Sequence, residues 1–354
     1  MIRTTKFLMA IALILTSCSS VKPDIDAVCE DLGNSRYIVK WELRPDDIKG
    51  NVKIYVSEEA DNFNLQNPPA ALCPISDKIC EIDLAGRPNV RYYFLLRFKN
   101  KYDYHVATRA PHVKDGSNFR DLGGYRTPDG QVIKWGYIYR SGELDEISSA
   151  GLEKFRSLQV KTWIDFRDEA RYTLPDTLLG IESSHHFPIN LIATSPIFDR
   201  LKNETLRRGD ANLFMQDLFL QLINEGKYAF SQMFDLLCDD ANYPIVLGDK
   251  FGKDYVGFAS ALVLAALNIP EETIYRDYIL SNQYLDRCAI HIDHTTCSTD
   301  TQEAATALMT VRKRQLFCAI RRIKQQHGSV LQYLQNEIGL TPEKQAKIQA
   351  ILLK

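Results

Sequence analysis

An N-terminal all-β sandwich followed by an α/β domain, with a central sheet, covering helices and a helical C-terminus, is the fold class the sequence predicts. Three observations predict it. Four short runs rich in β-branched and aromatic residues, 37–43, 52–57, 79–84 and 92–98, are separated by Pro, Gly, Asn and Asp turns. From about Pro111 the texture changes to alternating strand-like and long helical patterns, which belong to a sheet covered by helices. Residues 304–353 read as helical, with breaks at Gly328 and at Gly339-Leu340-Thr341-Pro342, where Thr341 can cap and Pro342 can start the last helix. A chain of 354 residues, 45% hydrophobic and 25% charged, can bury a core in each of two such units. Its net charge of -2 lacks the basic excess that neutralising a nucleic-acid backbone requires, so no nucleic-acid partner is expected.

Taken in order, the first 18 residues stand apart. Arg3 and Lys6 precede an apolar run over 7–15, too short to span a bilayer and suited to a signal peptide. The run ends in Leu15-Thr16-Ser17-Cys18, which resembles the bacterial lipobox. That resemblance implies that the Cys18 thiol takes a diacylglyceryl group and becomes the mature N-terminus. The acyl chains would then hold an exported protein to a bacterial membrane, on its periplasmic or cell-surface face, through about 0.8 kcal/mol per buried methylene. Residues 19–34 are polar without periodicity and read as a tether. Residues 35–110 form the expected β-sandwich, whose strand pattern resembles a fibronectin-like module. Glycan or protein binding through this unit would use exposed aromatics such as Trp41, although an aromatic of this kind more often belongs to the core.

Beyond Cys18, the cysteines at 29, 73, 80, 238, 288, 297 and 318 show no metal-like pairing, although Cys73 and Cys80 are near enough for a loop-closing disulfide. His291, Asp293, His294 and Cys297 supply ligand-type side chains, yet they lie in a Thr/Ser-rich stretch with no partner cluster. A solvated loop is the reading there, and neither a metal nor a cofactor is expected.

In residues 111–354, Leu152, Phe155 and Leu158 fall at helical spacing before a buried strand at 162–166. Phe230, Met233, Phe234 and Leu237 follow the i, i+3, i+4, i+7 rule of a helix facing a core. A short apolar strand at 243–247 then leads to a stretch, 258–267, that is apolar on every face and so belongs in the interior. Between them runs Gly248-Asp249-Lys250-Phe251-Gly252-Lys253-Asp254-Tyr255-Val256-Gly257. A strand, a glycine-bearing loop and a helix start make an anion cradle, because free backbone N–H groups and the helix dipole converge on the loop.

Five ordered motifs carry a family resemblance. They are Asn118-Phe119-Arg120-Asp121-Leu122-Gly123-Gly124-Tyr125, then Gly136-Tyr137-Ile138-Tyr139-Arg140-Ser141-Gly142, then Ile164-Asp165-Phe166-Arg167-Asp168-Glu169, then Asp277-Tyr278-Ile279-Leu280-Ser281-Asn282, and the stretch from Gly328 to Thr341. Together they resemble the bacterial tyrosine phosphatase family that also acts on phosphoserine and phosphoinositides, over 111–354. The family's loop reads H-C-x-x-G-K-D-R-T-G, and Gly252, Lys253, Asp254 and Gly257 set the register here without a gap. Gly248 then stands for the histidine, Asp249 for the nucleophilic cysteine, Tyr255 for the phosphate-binding arginine and Val256 for the threonine.

The resemblance therefore implies a phosphatase-like fold with altered chemistry. A carboxylate at 249 would repel a phosphoryl group: at ~4 Å and an effective dielectric of ~20, each pair of unit charges costs about 4 kcal/mol, roughly a thousandfold in affinity. Losing the arginine's bidentate fork adds to this. Asp249 is expected instead to occupy the anion site from within, accepting loop amide hydrogen bonds, pairing with Lys250 or Lys253, and carrying a lowered pKa. Asp254 matches a family position that assists catalysis. Asp165 and Arg167 end a strand pointing at the loop, and Leu174-Pro175-Asp176 sits where a mobile acid would lie. His185 and His186 are expected at a strand edge. The functional expectation is a pseudophosphatase that binds a phospho-ligand or a protein partner. The alternatives are a phosphatase with altered chemistry and surface adhesion through the β-sandwich.

Overall fold

The computed structural model describes residues 22–84, 89–145, 147–167, 176–191, 194–285, 290 and 296–354. Cys18, Cys288, His291, Asp293, His294, Leu174 and Pro175 lie outside them. The N-terminal unit has seven strands: β1 (Asp24–Gly33), β2 (Arg36–Arg44), β3 (Asn51–Ser57), β4 (Ala71–Pro74), β5 (Ile79–Asp83), β6 (Tyr93–Phe98) and β7 (Tyr102–Ala107). They form two antiparallel sheets, ordered β1-β2-β5 and β4-β3-β6-β7. Alternation decides which side chains turn inward. Val39 and Trp41 of β2 meet Val52 and Ile54 of β3 and Phe94, Leu96 and Phe98 of β6 in one apolar cluster.

One expectation is corrected here. The tether does not extend over 19–34, because β1 begins at Asp24 and pairs with β2 in register Cys29↔Val39. Ile25 and Cys29 face the core while Asp24, Asp26 and Glu30 face out, so the acids masked a period-2 pattern. Trp41 takes the core position and not a surface one: it is 2% exposed, its Nε1–H donates to the Ile75 carbonyl at 2.9 Å, and its ring packs edge-on against Phe98. Cys73 and Cys80 are joined as a disulfide, with Cα atoms 6.5 Å apart.

The second unit is built on a five-stranded sheet ordered β11-β10-β12-β9-β8, from β8 (Arg120–Asp121), β9 (Ile138–Ser141), β10 (Thr162–Asp165), β11 (Ser183–His186) and β12 (Ile245–Gly248). β9 to β12 are parallel and β8 runs against β9. The helices are α1 (Ser149–Ser157), α2 (Asp176–Leu179), α3 (Thr194–Lys202), α4 (Arg208–Glu225), α5 (Lys227–Leu237), α6 (Tyr255–Ala266), α7 (Glu271–Tyr284), α8 (Thr299–Met309), α9 (Lys313–His327), α10 (Val330–Asn336) and α11 (Pro342–Leu352). The helical C-terminus thus carries one break more than the sequence pattern gave, at Thr310–Arg312, where the Asn282 side chain caps the backbone N–H of Val311. No helix among the described residues is long and apolar enough to cross a membrane.

The two units are locked together by a buried ion pair. Arg91, before β6, donates to Asp121 Oδ2 at 2.6 Å and to the Tyr139 hydroxyl at 2.8 Å, and both charged groups are almost fully buried. Asp121 also accepts the N–H groups of Gly123 and Gly136, so its lone pairs are satisfied inside the fold. At the C-terminus, Lys354 reaches Asp61 and His105 of the β unit.

Candidate functional site

In an open parallel sheet the crevice beyond the carboxyl ends of the strands is where ligands bind. β12 lies at the centre of this sheet, and residues 249–254 connect its carboxyl end to α6. α6 is buried on nearly every face, which fixes the direction of its N-terminus toward the loop.

Glycines set the shape of the loop. Gly252 has φ +63°, and a Cβ there would lie 2.4 Å from the Gly142 nitrogen and 2.6 Å from the Ser141 carbonyl carbon. At Gly248 a Cβ would lie 2.5 Å from Trp163 Cζ2. The indole of Trp163, on β10, therefore fills the space that the family's histidine side chain would need. Gly257 packs on the ring of Tyr278, where a Cβ would be 3.0 Å away.

Asp249 is folded into the middle of the loop, 4% exposed. Its Oδ1 accepts the backbone N–H of Phe251 at 2.9 Å and that of Gly252, and its Oδ2 accepts the N–H of Val256 at 2.9 Å. These are the donors that would otherwise converge on a bound oxyanion. The expected lysine partner is different. Lys253 is buried and bridges both oxygens of Asp254 at 2.6 Å, while the Lys250 ammonium lies over the rings of Phe198 and Phe251 at about 5 Å.

The expectation of a lowered pKa is overturned. Burial, and after it the charge of Asp254, push the Asp249 carboxyl up from 3.8 to about 6, against the amide bonds of Val256 and Gly252 and the more distant Lys253. Such a group favours the folded state only while protonated. Stability is fully present below 3.8 and is lost as pH rises through about 6, because over that window the folded chain holds the proton and the unfolded chain does not. The expected loss is about 3 kcal/mol. Urea unfolding of the protein and of Asp249→Asn at either end of this window measures it: the difference between the two stabilities should change by that amount, and a constant difference would contradict it.

A buried polar network holds the loop from below. Asn118 Nδ2 donates to the Gly252 carbonyl at 2.7 Å and the Phe251 carbonyl at 3.2 Å, and Arg140 donates to the Gly252 carbonyl at 2.7 Å. Arg140 also pairs with Asp277 Oδ2 at 2.8 Å, Arg120 lies 3.5 Å from Asp277 Oδ1, and the Tyr125 hydroxyl donates to Asp277 at 2.9 Å. Burial alone would raise the Asp277 carboxyl, but Arg120, Arg140 and Arg109 together hold it below the ordinary carboxylate range. Three of the sequence motifs thus meet in one place. Residue pattern revealed the motifs, but it did not single out Asn118, Arg120, Arg140 or Asp277 as loop supports. Trp163 lay in the buried strand expected at 162–166, but nothing in the sequence set it beneath Gly248.

Asp165 and Arg167 form a side-on pair at the end of β10, with contacts of 2.7 and 2.8 Å, and Arg167 also lies 3.6 Å from Asp145. Above the loop is a cleft of about 180 Å³ whose walls include Phe198, Phe214, Met215, Leu218 and Met309, with Tyr255 and Asp254 on the loop side. Tyr255, in the arginine position, gives the cleft a half-buried phenol ring in place of a guanidinium fork. His185 and His186 are engaged at β11, with Ser183 and the Arg167 carbonyl respectively, each at 2.8 Å. Among the described residues no three His, Cys, Asp or Glu side chains converge as a metal-ligand set.

A parallel sheet that delivers a strand into a nest of amides capped by a buried helix is the scaffold of the cysteine-dependent phosphatases. A model of the tyrosine phosphatase family matches residues 111–354, and the chain belongs to that family. It is 29% identical over 230 residues to a tyrosine-protein phosphatase of Cupriavidus necator, covering 63% of this chain and 81% of that one. It is 25% identical over 276 residues to the triple specificity protein phosphatase PtpB of Mycobacterium tuberculosis, covering 67% and 96%. Among solved structures, the catalytic core of Siw14 is similar at 13% identity and a TM-score of 0.28, over 54% of this chain and 87% of that one.

Proposed function

We propose that this chain is a pseudophosphatase: a tyrosine phosphatase-like lipoprotein that binds or scaffolds, and does not hydrolyse phosphate esters. The single observation that carries the reading is that the loop amides of Phe251, Gly252 and Val256 all donate to Asp249. With the amides taken, the cysteine replaced and the arginine gone, the loop has neither a thiolate to attack phosphorus nor a fork to hold its oxygens. Attack by Asp249 is disfavoured by the same bonds, since both oxygens are held by the loop that a substrate would have to enter. In this reading residues 24–108 are a β-sandwich module fixed to the phosphatase-like domain through Arg91, and Cys18 carries the lipid. The cleft over Tyr255 is the surface for a ligand or protein partner.

The test is turnover of an aryl phosphate together with calorimetric titration of vanadate. No turnover and no micromolar vanadate binding are expected. Turnover that disappears in Asp249→Ala would replace this reading with an active enzyme of altered chemistry.

A further inference from the structure

We infer that α9, with the adjoining outer side of α7, rests on an anionic lipid surface. α9 carries Lys313, Arg314, Arg321, Arg322 and Lys324 and no acid, in a chain whose net charge is -2. Its inner side, with Leu316, Ala319, Ile320 and Ile323, is buried in the core, so the cations stand outside. Lys313 pairs with Glu272 at 2.6 Å and Lys324 pairs with Glu271. Among the described residues no carboxylate pairs with Arg314, Arg321 or Arg322. Phe317 stands between Arg314 and Arg321, 43% exposed, with its ring 6.1 Å from that of Tyr275 on α7, while Arg322 turns to the other edge of the helix, beside Leu220 and Ile223 of α4. An exposed aromatic flanked by two arginines on one helix face suits the plane of a charged headgroup layer, where each cation adds to adsorption and the ring enters the interface.

The position of β1 gives the face its orientation. β1 begins at Asp24, so only five residues separate it from Cys18, a span of at most ~20 Å even when extended. Asp24 lines the groove that Thr273, Arg276 and Ile279 of α7 line from the other side, and α9 packs on α7, about one helix spacing (roughly 8–10 Å) further on. A lipid on Cys18 therefore brings the α7 and α9 side to the headgroups, which a long tether would not do. This orientation rests on the lipid attachment proposed above.

The experiment places an indole on the face, using the full chain with Phe317→Trp. The native Trp41, Trp135 and Trp163 are buried and give a steady background. Vesicles containing phosphatidylglycerol should shift the new emission to the blue, an effect lost in high salt and absent with phosphatidylcholine alone. Adding Arg314→Gln and Arg321→Gln should lower partitioning at least about tenfold, with an unchanged thermal melt. An equal shift on neutral vesicles, or no loss in the glutamine variant, would overturn the inference. Silence with every vesicle alongside retention on an acidic protein column would reassign the face to a protein partner. Labelled fatty acid incorporation, abolished by Cys18→Ser, reports the anchor separately.

Discussion

Asp249→Ala is expected to turn a closed loop into an oxyanion site, binding vanadate or phosphate where the unaltered protein shows none. Removing the carboxylate frees the N–H groups of Phe251, Gly252 and Val256, which the glycine conformation at 252 and the contacts from Asn118 and Arg140 keep in place. It also removes a negative charge from the centre of the site, worth about 4 kcal/mol at ~4 Å with an effective dielectric of ~20, or roughly a thousandfold in affinity. Isothermal titration of vanadate into both proteins measures the gain. Asp249→Asn separates the two contributions: it is neutral but still fills the cradle, so it should bind far less than the alanine variant. Equal binding by both variants would mean that charge, and not occupancy, closes the loop. No turnover is expected from the alanine variant, which still lacks a nucleophile.

Asp277→Leu is expected to cost 3 to 5 kcal/mol, about the amount typical of breaking a buried ion pair by removing one partner. Arg120 and Arg140 are both fully buried around this carboxylate, and without it two guanidinium groups face each other in the interior. For a domain of this size that corresponds to a fall in Tm of roughly 10 °C or more. Because Arg140 also holds the Gly252 carbonyl, the loop should loosen with it. Differential scanning calorimetry measures the first effect, and hydrogen exchange at 251–256 the second. A Tm within a degree or two of the parent would show that the network is not a stability element.

Much of the site was legible because the loop is a local object. Gly252, Lys253, Asp254 and Gly257 are close in sequence, and their spacing placed Asp249 in the nucleophile position before any fold was known. The elements with strong periodicity were legible for the same reason: the all-apolar stretch that became α6 and the spaced Phe230, Met233 and Phe234 of α5 each state their burial in a few turns. β1 was not, since its inward residues are only Ile25, Ala27 and Cys29 and its acids face water. What makes it a strand is the ladder to β2, a partner reached through a turn, and not its own composition.

The sequence alone determined the family scaffold, the lost cysteine and arginine, and the frame of the loop, all of which depend on residue identity at fixed spacing. Only the tertiary structure decided that the Asp249 carboxyl is raised rather than lowered, that Lys253 pairs with Asp254 instead of Asp249, that Trp163 stands where a histidine at 248 would go, and that Arg140 and Asn118 carry the loop. Each of those depends on groups from separate strands and helices meeting in a water-poor interior, where burial and neighbouring charge outweigh the preferences of a residue taken by itself.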